Sequence, residues 1–218
     1  MSLIETPSPN FGPRRGAVID MLVLHYTGMP TGAEALARLV DPAAAVSAHY
    51  LIDEDGTVHA LVDEGLRAWH AGLSWWRGVA DVNSHSIGIE LVNPGHEFGY
   101  RPFPRAQIDA LTALSLRILA RHPIPPRNVL AHSDVAPTRK TDPGELFPWQ
   151  EMAAKGIGLW PEPRPETPPE TALAEWGYDI QDPFAATAAF QRRYRPARID
   201  GRWDQETAGR LADLLAKL

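Results

Sequence analysis

One stretch decides the fold, and it reads Asn128-Val129-Leu130-Ala131-His132-Ser133-Asp134-Val135-Ala136-Pro137-Thr138-Arg139-Lys140-Thr141-Asp142-Pro143-Gly144. It begins as a short apolar strand that ends at His132 and continues as a loop punctuated by Pro and Gly. A second apolar segment, residues 17–24, ends in the same way at His25. Side chains at strand ends project from a rigid sheet edge into the cleft that the loops form. The two histidines are therefore candidates for one site.

Strand and helix signals alternate around these two segments. Asp55-Gly56, placed between two apolar runs, predicts a hairpin. Pro104 predicts the start of the longest helix. The segments predicted as strands are 48–52, 57–61 and 86–92, and those predicted as helices are 33–40 and 105–121. This alternation predicts an α/β fold in which helices pack on a sheet.

Proline content predicts where the chain divides. Five prolines, interleaved with charged residues, stand between residues 161 and 169, and they favour an extended spacer over a helix or a central strand. The alternative is a Pro-rich loop inside one domain. Beyond the spacer, the helix starts at Asp182-Pro183 and Asp204 predict a small all-α module of three short helices. The predicted parts are a domain over residues 1–158, a linker over 159–170 and the helical domain over 171–218.

Composition excludes several classes of protein. The 218 residues are 44% apolar, which is enough for a core, but no apolar run approaches the roughly 20 residues of a membrane span. The formal net charge of −6 argues against a nucleic-acid partner, and no obligate protein partner is expected. No ordinary secretory signal is visible, so we expect the cytoplasm, with the periplasm as the alternative. Without Cys, any metal must bind to His, Asp or Glu.

The loop after His132 carries the residue types of a metal site. His132, Lys140 and Asp142 fall within eleven residues. Two imidazoles and one carboxylate can bind zinc and leave its fourth tetrahedral position open, the pattern of a catalytic site. Such a metal lowers the pKa of water to about 7 and polarises a carbonyl. The alternative is a solvated loop with incidental charges.

Five motifs occur in an order that is typical of one enzyme family. They are VLHYT at 23–27, VSAHYLI at 46–52, RAWHAG at 67–72, SIGIEL at 86–91 and HSDVAPTRKTDPG at 132–144. Together they resemble the zinc-dependent type-2 N-acetylmuramoyl-L-alanine amidases, including the anhydromuropeptide-recycling branch and, more distantly, the peptidoglycan-recognition proteins. The resemblance spans roughly residues 17–155. It implies a mixed central sheet flanked by helices, and one Zn²⁺ per chain.

The resemblance also implies a role for each matching position. The zinc ligands of the family correspond to His25, His132 and Asp142. Its catalytic pair corresponds to Glu90 and Lys140. We infer that Glu90 takes a proton from the attacking water and passes it to the leaving amine, while Lys140 stabilises the oxyanion together with zinc. A salt-bridged strand carboxylate and an exposed loop lysine are the alternatives.

Other residues of the motifs are candidates for substrate binding. Trp69 and His70 match a family segment beside the cleft, which implies contact with sugar or peptide. Arg139 could hold a carboxylate of the stem peptide bidentately. A core position for Trp69 and a solvated surface position for Arg139 are the alternatives. Trp75 and Trp76 are expected either to line the cleft or to pack beneath a loop.

The resemblance implies hydrolysis of the amide bond between N-acetylmuramic acid, or its 1,6-anhydro form, and L-alanine. The substrate is peptidoglycan or a muropeptide. Residues 172–215 resemble a peptidoglycan-binding helical module, and tethering such a module would raise the effective concentration of a polymeric substrate. Two alternatives stay open, because a fold does not fix a function. One is a protein that binds peptidoglycan fragments without cutting them, and the other is cleavage between amino acids of the stem peptide.

Overall fold

The computed structural model describes residues 3–218, so Met1 and Ser2 of the predicted first domain lie outside it. The strands are β1 (Leu3–Glu5), β2 (Phe11–Pro13), β3 (Met21–Tyr26), β4 (Tyr50–Ile52), β5 (Val58–Ala60), β6 (Leu66–Ala68), β7 (Ser86–Leu91) and β8 (Val129–Ala131). Six of them form one sheet in the order β1-β5-β4-β7-β3-β8, and β2 pairs with β6. Among the described strands of the large sheet, only β4 and β5 are antiparallel neighbours. The predicted mixed sheet is confirmed.

Helices flank this sheet. They are α1 (Gly32–Val40), α2 (Val82–His85), α3 (Gly95–Phe98), α4 (Arg105–Arg121), α5 (His132–Val135), α6 (Trp149–Ala154), α7 (Leu173–Trp176), α8 (Pro183–Tyr194) and α9 (Gln205–Leu215). Short 3₁₀ turns occupy Pro42–Ala44, Pro126–Asn128 and Glu170–Ala172. Within residues 3–218, none of the helices combines the length and the apolar character that a membrane span requires.

The two faces of the central strand β3 contribute to two different cores. Leu22 and Leu24 face a core that includes α4, whereas Met21 and Val23 face a core built mainly with α7, α8 and α9. This follows from the two-residue period of a strand. A strand buried on both faces reads as a continuous apolar run, as β3 does.

The carboxyl ends of three parallel strands meet at one edge of the sheet. β3 lies between β7 and β8, with His25 opposite Glu90 and Leu24 opposite Ala131. His132 directly follows β8. Ligands of open α/β sheets bind at this edge. The register therefore places His25, Glu90 and His132 around one cleft.

The Pro-rich segment is held against the C-terminal helices along much of its length. The Arg164 amide donates to the carbonyl of Gly209, and the Arg164 guanidinium pairs with Asp213 at 2.8 Å. A Cβ at position 209 would lie 2.3 Å from the Arg164 carbonyl oxygen, so only glycine allows this approach. Further along, the Trp203 indole donates to the carbonyl of Pro168 at 3.1 Å. The boundaries at residues 158 and 170 stay a prediction.

The C-terminal helices continue the core of the sheet. Leu173, Trp176 and Phe190 are completely buried and pack in the same cluster as Val23 and Leu130 of the sheet. A helical module of under 50 residues has little stability of its own. Its apolar contacts with the sheet supply the burial that the isolated module would lack.

Glu64 joins the loop after β5 to the end of α4. Its carboxylate accepts hydrogen bonds from Tyr50, Arg121 and His122, at distances of 2.5 to 2.7 Å. Burial alone would raise the pKa of Glu64, but these hydrogen bonds outweigh it and lower the pKa to about 2. The ionised carboxylate therefore stabilises the fold at neutral pH.

We expect Glu64→Gln to lower the free energy of unfolding by about 1–2 kcal/mol near pH 7, after allowance for solvent screening. A lowered folded-state pKa gives stability that is present above the ordinary value of 4.5 and is lost as the pH falls toward 2. Urea unfolding between pH 7 and pH 3, with exposed Glu5→Gln as the control, measures the difference. If the difference in free energy of unfolding between Glu64→Gln and the wild type stayed the same from pH 7 to pH 3, the stabilising role of the ionised Glu64 would be contradicted.

Candidate active site

Three candidate ligand atoms converge at the sheet edge. The distances are 2.9 Å from His25 Nδ1 to His132 Nδ1, 3.1 Å from His25 Nδ1 to Asp142 Oδ2 and 3.0 Å from His132 Nδ1 to Asp142 Oδ2. All three side chains are buried. They form a possible metal site among residues 3–218. The structure thus brings the three predicted ligands together.

The other nitrogen of His132 fixes its tautomer. Nε2 lies 3.0 Å from the carbonyl oxygen of Ala71, which can only accept, so the ring donates from Nε2. A neutral imidazole carries one proton, and Nδ1 is therefore left with a lone pair. Metal-binding histidines typically donate their second N–H to a carbonyl or carboxylate in this way.

A chain of hydrogen bonds fixes the tautomer of His25. The Ser86 hydroxyl donates to the Val82 carbonyl at 2.7 Å and therefore accepts from Nε2 of His70 at 3.1 Å. Nδ1 of His70 is then an acceptor, and it lies 3.0 Å from Nε2 of His25. His25 donates to it, which leaves Nδ1 of His25 with a lone pair that points at the other ligand atoms.

This arrangement fits a cation. Burial lowers the pKa of His25 to about 4, so its ring is neutral at physiological pH. Burial alone would raise the pKa of Asp142, but His132 and His25 lower it well below its ordinary value. Two lone pairs and one carboxylate oxygen therefore face each other at about 3 Å, and a positive charge between them would relieve their repulsion. Metal ions bind neutral histidine and ionised carboxylate, the forms found here.

The helical turn α5, which carries His132, and the loop that carries Asp142 are tied to each other. The amide of Ser133 donates to the carbonyl of Asp142 at 3.0 Å. On the cleft side, Nη2 of Arg139 donates to the carbonyls of Ala71, at 2.8 Å, and of Leu73. Arg139 thus holds the 69–72 segment beside the ligands.

Glu90 and Lys140 line the same cleft as His132 and Asp142, and this cleft has a volume of about 400 Å³. The Glu90 Oε2 atom is shielded from solvent and has no hydrogen-bond partner among residues 3–218. Burial, followed by the charge of Asp142, raises the pKa of Glu90 well above its ordinary value. A carboxyl group in this state is suited to exchange protons near neutral pH.

The predicted substrate-binding residues fall into different environments. Trp69 and His70 both line the cleft. Trp69 is partly buried, whereas His70 is 9% exposed and its ring is bonded to His25 and Ser86. The geometry favours a ligand-orienting role for His70 over substrate contact. The neighbouring residues Trp75 and Trp76 differ in exposure. Trp76 is completely buried and its indole donates to Asn128 at 3.1 Å, whereas Trp75 is 39% exposed.

Sequence reasoning missed two residues of the SIGIEL strand. Ser86 orients His70, and Gly88 leaves room for its ring, because a Cβ at position 88 would lie 2.4 Å from Cγ of His70. Ser86, Gly88 and Glu90 alternate along β7 and therefore share one face of the strand. This alternation could have identified Ser86 and Gly88, because it places them on the same face of β7 as Glu90.

We expect His70→Leu to weaken zinc binding by about 10- to 100-fold, because His25 loses the acceptor that fixes its tautomer. Competition with a chromophoric chelator on the folded protein measures the zinc dissociation constant. His59→Leu, in β5, which β4 and β7 separate from the ligand-bearing strand β3, is the control. Equal zinc affinity in His70→Leu and the wild type would contradict the role assigned to His70.

Comparisons with known proteins show the family of this chain. A family model described as N-acetylmuramoyl-L-alanine amidase matches residues 15–145. The N-acetylmuramoyl-L-alanine amidase AmiD of Escherichia coli K12 is 40% identical over 232 residues, which cover 91% of this chain and 83% of that protein. The 1,6-anhydro-N-acetylmuramyl-L-alanine amidase AmpD of Enterobacter cloacae is 37% identical over 168 residues, which cover 69% of this chain and 88% of that protein.

Solved structures show the same fold. The complex of E. coli AmiD with anhydro-N-acetylmuramic acid-L-Ala-D-γ-Glu-L-Lys has a TM-score of 0.82 and 38% identity, and the match covers 94% of this chain and 90% of that one. AmpDh3 of Pseudomonas aeruginosa with anhydromuramic pentapeptide has a TM-score of 0.82 and 35% identity, with 96% and 94% covered. As the sequence motifs predicted, the chain belongs to the N-acetylmuramoyl-L-alanine amidase family.

Proposed function

We propose that this protein hydrolyses the amide bond between N-acetylmuramic acid, or its 1,6-anhydro form, and L-alanine, with one Zn²⁺ held by His25, His132 and Asp142. The observation that carries the proposal is the convergence of three lone-pair atoms beside the Glu90 carboxyl group, whose Oε2 is shielded from solvent and has no hydrogen-bond partner among residues 3–218. Zinc, when bound, would polarise the carbonyl and lower the pKa of water.

The residues around the ligands supply the proton chemistry and the electrostatics. Glu90 takes a proton from the attacking water and gives it to the departing nitrogen of L-alanine. Glu90 lines the cleft, so its carboxyl group can exchange that proton with a water molecule held there. Lys140 lines the same cleft, so its ammonium group stabilises the negative oxygen that develops on the carbonyl. The raised pKa of Glu90 matches the second half of this cycle, in which the carboxyl group must donate.

The cleft suits a small fragment of the cell wall. Its volume of about 400 Å³ falls in the range of small-molecule sites. Trp69 offers an aromatic face, and Arg38 and Arg139 add positive charge at the rim. These features match a sugar joined to a peptide that carries carboxylates. The AmiD and AmpDh3 complexes with anhydromuropeptides support this assignment.

Digestion of a defined muropeptide tests the proposal. The purified protein is incubated with an anhydromuropeptide and, separately, with isolated sacculi, and the products are identified by mass spectrometry. We expect the release of a peptide with a free L-alanine amino group. Products cut between stem amino acids, or tight binding without any product, would contradict the proposal and favour the two alternatives.

Two further proposals concern the cellular compartment and the C-terminal module. Cell fractionation tests the expected cytoplasmic compartment against the periplasm. Binding of the C-terminal module to wall polymer is tested by sedimentation of the full chain with sacculi. Phe190 and Tyr194 are completely buried, so these two aromatic side chains are not offered to a polymer, whereas Trp203 is partly exposed.

A further inference from the structure

The turn that carries His132 is held on its far side by a buried carboxylate. Asp134, in α5, is completely buried and accepts three hydrogen bonds. One comes from the Ala131 amide at 2.8 Å, one from the Tyr178 hydroxyl at 2.6 Å and one from Nη1 of Arg193 at 2.5 Å. The first of these bonds closes the turn around His132.

Two of the three donors belong to the C-terminal helical module. Tyr178 follows α7, and Arg193 lies in α8. The Arg193 guanidinium is 1% exposed, its Nη2 donates to the Val129 carbonyl at 2.6 Å, and it lies over the Trp149 ring at 4.2 Å. Arg193 therefore binds both the strand β8 and the turn that follows it.

Other contacts besides the ion pair dock these helices on the sheet. The Tyr178 ring meets Trp76 edge to face at 5.2 Å, and the Arg77 amide donates to the Gly177 carbonyl at 2.9 Å. Apolar side chains fill the rest of the interface. A buried ion pair is often no more stabilising than apolar residues of the same volume, because both charges lose their hydration. Its placement at Asp134 points to control of local geometry.

We propose that the C-terminal helices position the metal site: Arg193 and Tyr178 orient Asp134, and Asp134 fixes the turn that presents His132 to the ion. This inference rests on the proposed function, because it requires an ion at His132. It gives the helical module a role inside the catalytic unit, whether or not the module contacts wall polymer. Arg193 and Tyr178 are positioning residues, since neither lies at the cleft.

Zinc affinity of the folded apo-protein tests the proposal. Arg193→Met keeps the apolar contact with Trp149 and removes both donors, and we expect its zinc dissociation constant to rise by about tenfold or more. Arg193→Lys, which keeps the charge, should recover part of the loss. Arg192→Met, the neighbouring and partly exposed arginine of α8, is the matched control and should stay within about twofold of the wild type.

Arg193→Met leaves Asp134 unpaired and could therefore fail to fold. Two further variants test the positioning role in that case. The double variant Asp134→Asn/Arg193→Met removes both charges, and Tyr178→Phe removes a single hydrogen bond. Both should bind zinc more weakly while circular dichroism shows native helix content. Folded variants that bind zinc as tightly as the wild type would overturn the inference. Failure of the wild type itself to bind zinc or to cleave muropeptide would instead refute the proposed function.

Discussion

His132→Ala is expected to abolish metal-dependent turnover. The variant removes one of three ligand atoms that lie about 3 Å apart, and the remaining pair holds an ion much more weakly. We expect the zinc content to fall from one per chain to near zero after dialysis against a mild chelator. The rate of muropeptide cleavage should fall by more than about 100-fold. This loss exceeds the usual effect of removing a residue that only hydrogen-bonds a metal ligand.

The control for His132→Ala is His85→Ala, in which a surface histidine near Asp20 is removed. It should retain zinc and activity. Adding zinc back to the chelated wild type should restore turnover, whereas His132→Ala should not recover. Full activity of His132→Ala without bound metal would exclude the ligand assignment.

Glu90→Gln is expected to lower kcat by about 10²- to 10⁴-fold, the usual contribution of a positioned acid or base. The amide keeps the size of the carboxyl group but cannot accept and return a proton. Glu90 is not one of the three converging ligands, so zinc content and KM should stay close to those of the wild type. Steady-state kinetics, together with metal analysis of the same sample, separates these quantities.

Glu54→Gln provides the matched control for Glu90→Gln. Glu54 pairs with Arg101 at 2.7 Å on the surface, so its loss should leave kcat unchanged. A Glu90→Gln enzyme with kcat within about twofold of the wild type would remove Glu90 from the mechanism. Loss of zinc from Glu90→Gln would show that the carboxylate supports the metal site instead.

Much of the predicted first domain, residues 1–158, could be inferred from local sequence. The helix at 105–121 and the hairpin around Asp55-Gly56 appear where their periodicity and turn residues place them. His25 and His132 could be paired because each follows an apolar strand, and parallel strands align their carboxyl ends. Asp142 could be added only through its motif, since a loop residue has no strand register to locate it.

The supporting contacts of the site could not be predicted in the same way. Arg193 and Asp134 are 59 residues apart, and their pairing depends on how the C-terminal helices dock on the sheet. Composition suggested a spacer at 161–169, but propensity cannot show that Arg164 binds Gly209 and Asp213. The predicted substrate role of His70 followed from its motif, whereas its ring lies between His25 and Ser86. These features depend on tertiary packing.

Anomalous X-ray scattering at the zinc edge, recorded from crystals of the active protein, locates the bound ion. We expect a single peak about 2.0–2.2 Å from Nδ1 of His25, Nδ1 of His132 and a carboxylate oxygen of Asp142. A crystal of active enzyme with no anomalous peak between these three side chains would contradict this ligand assignment.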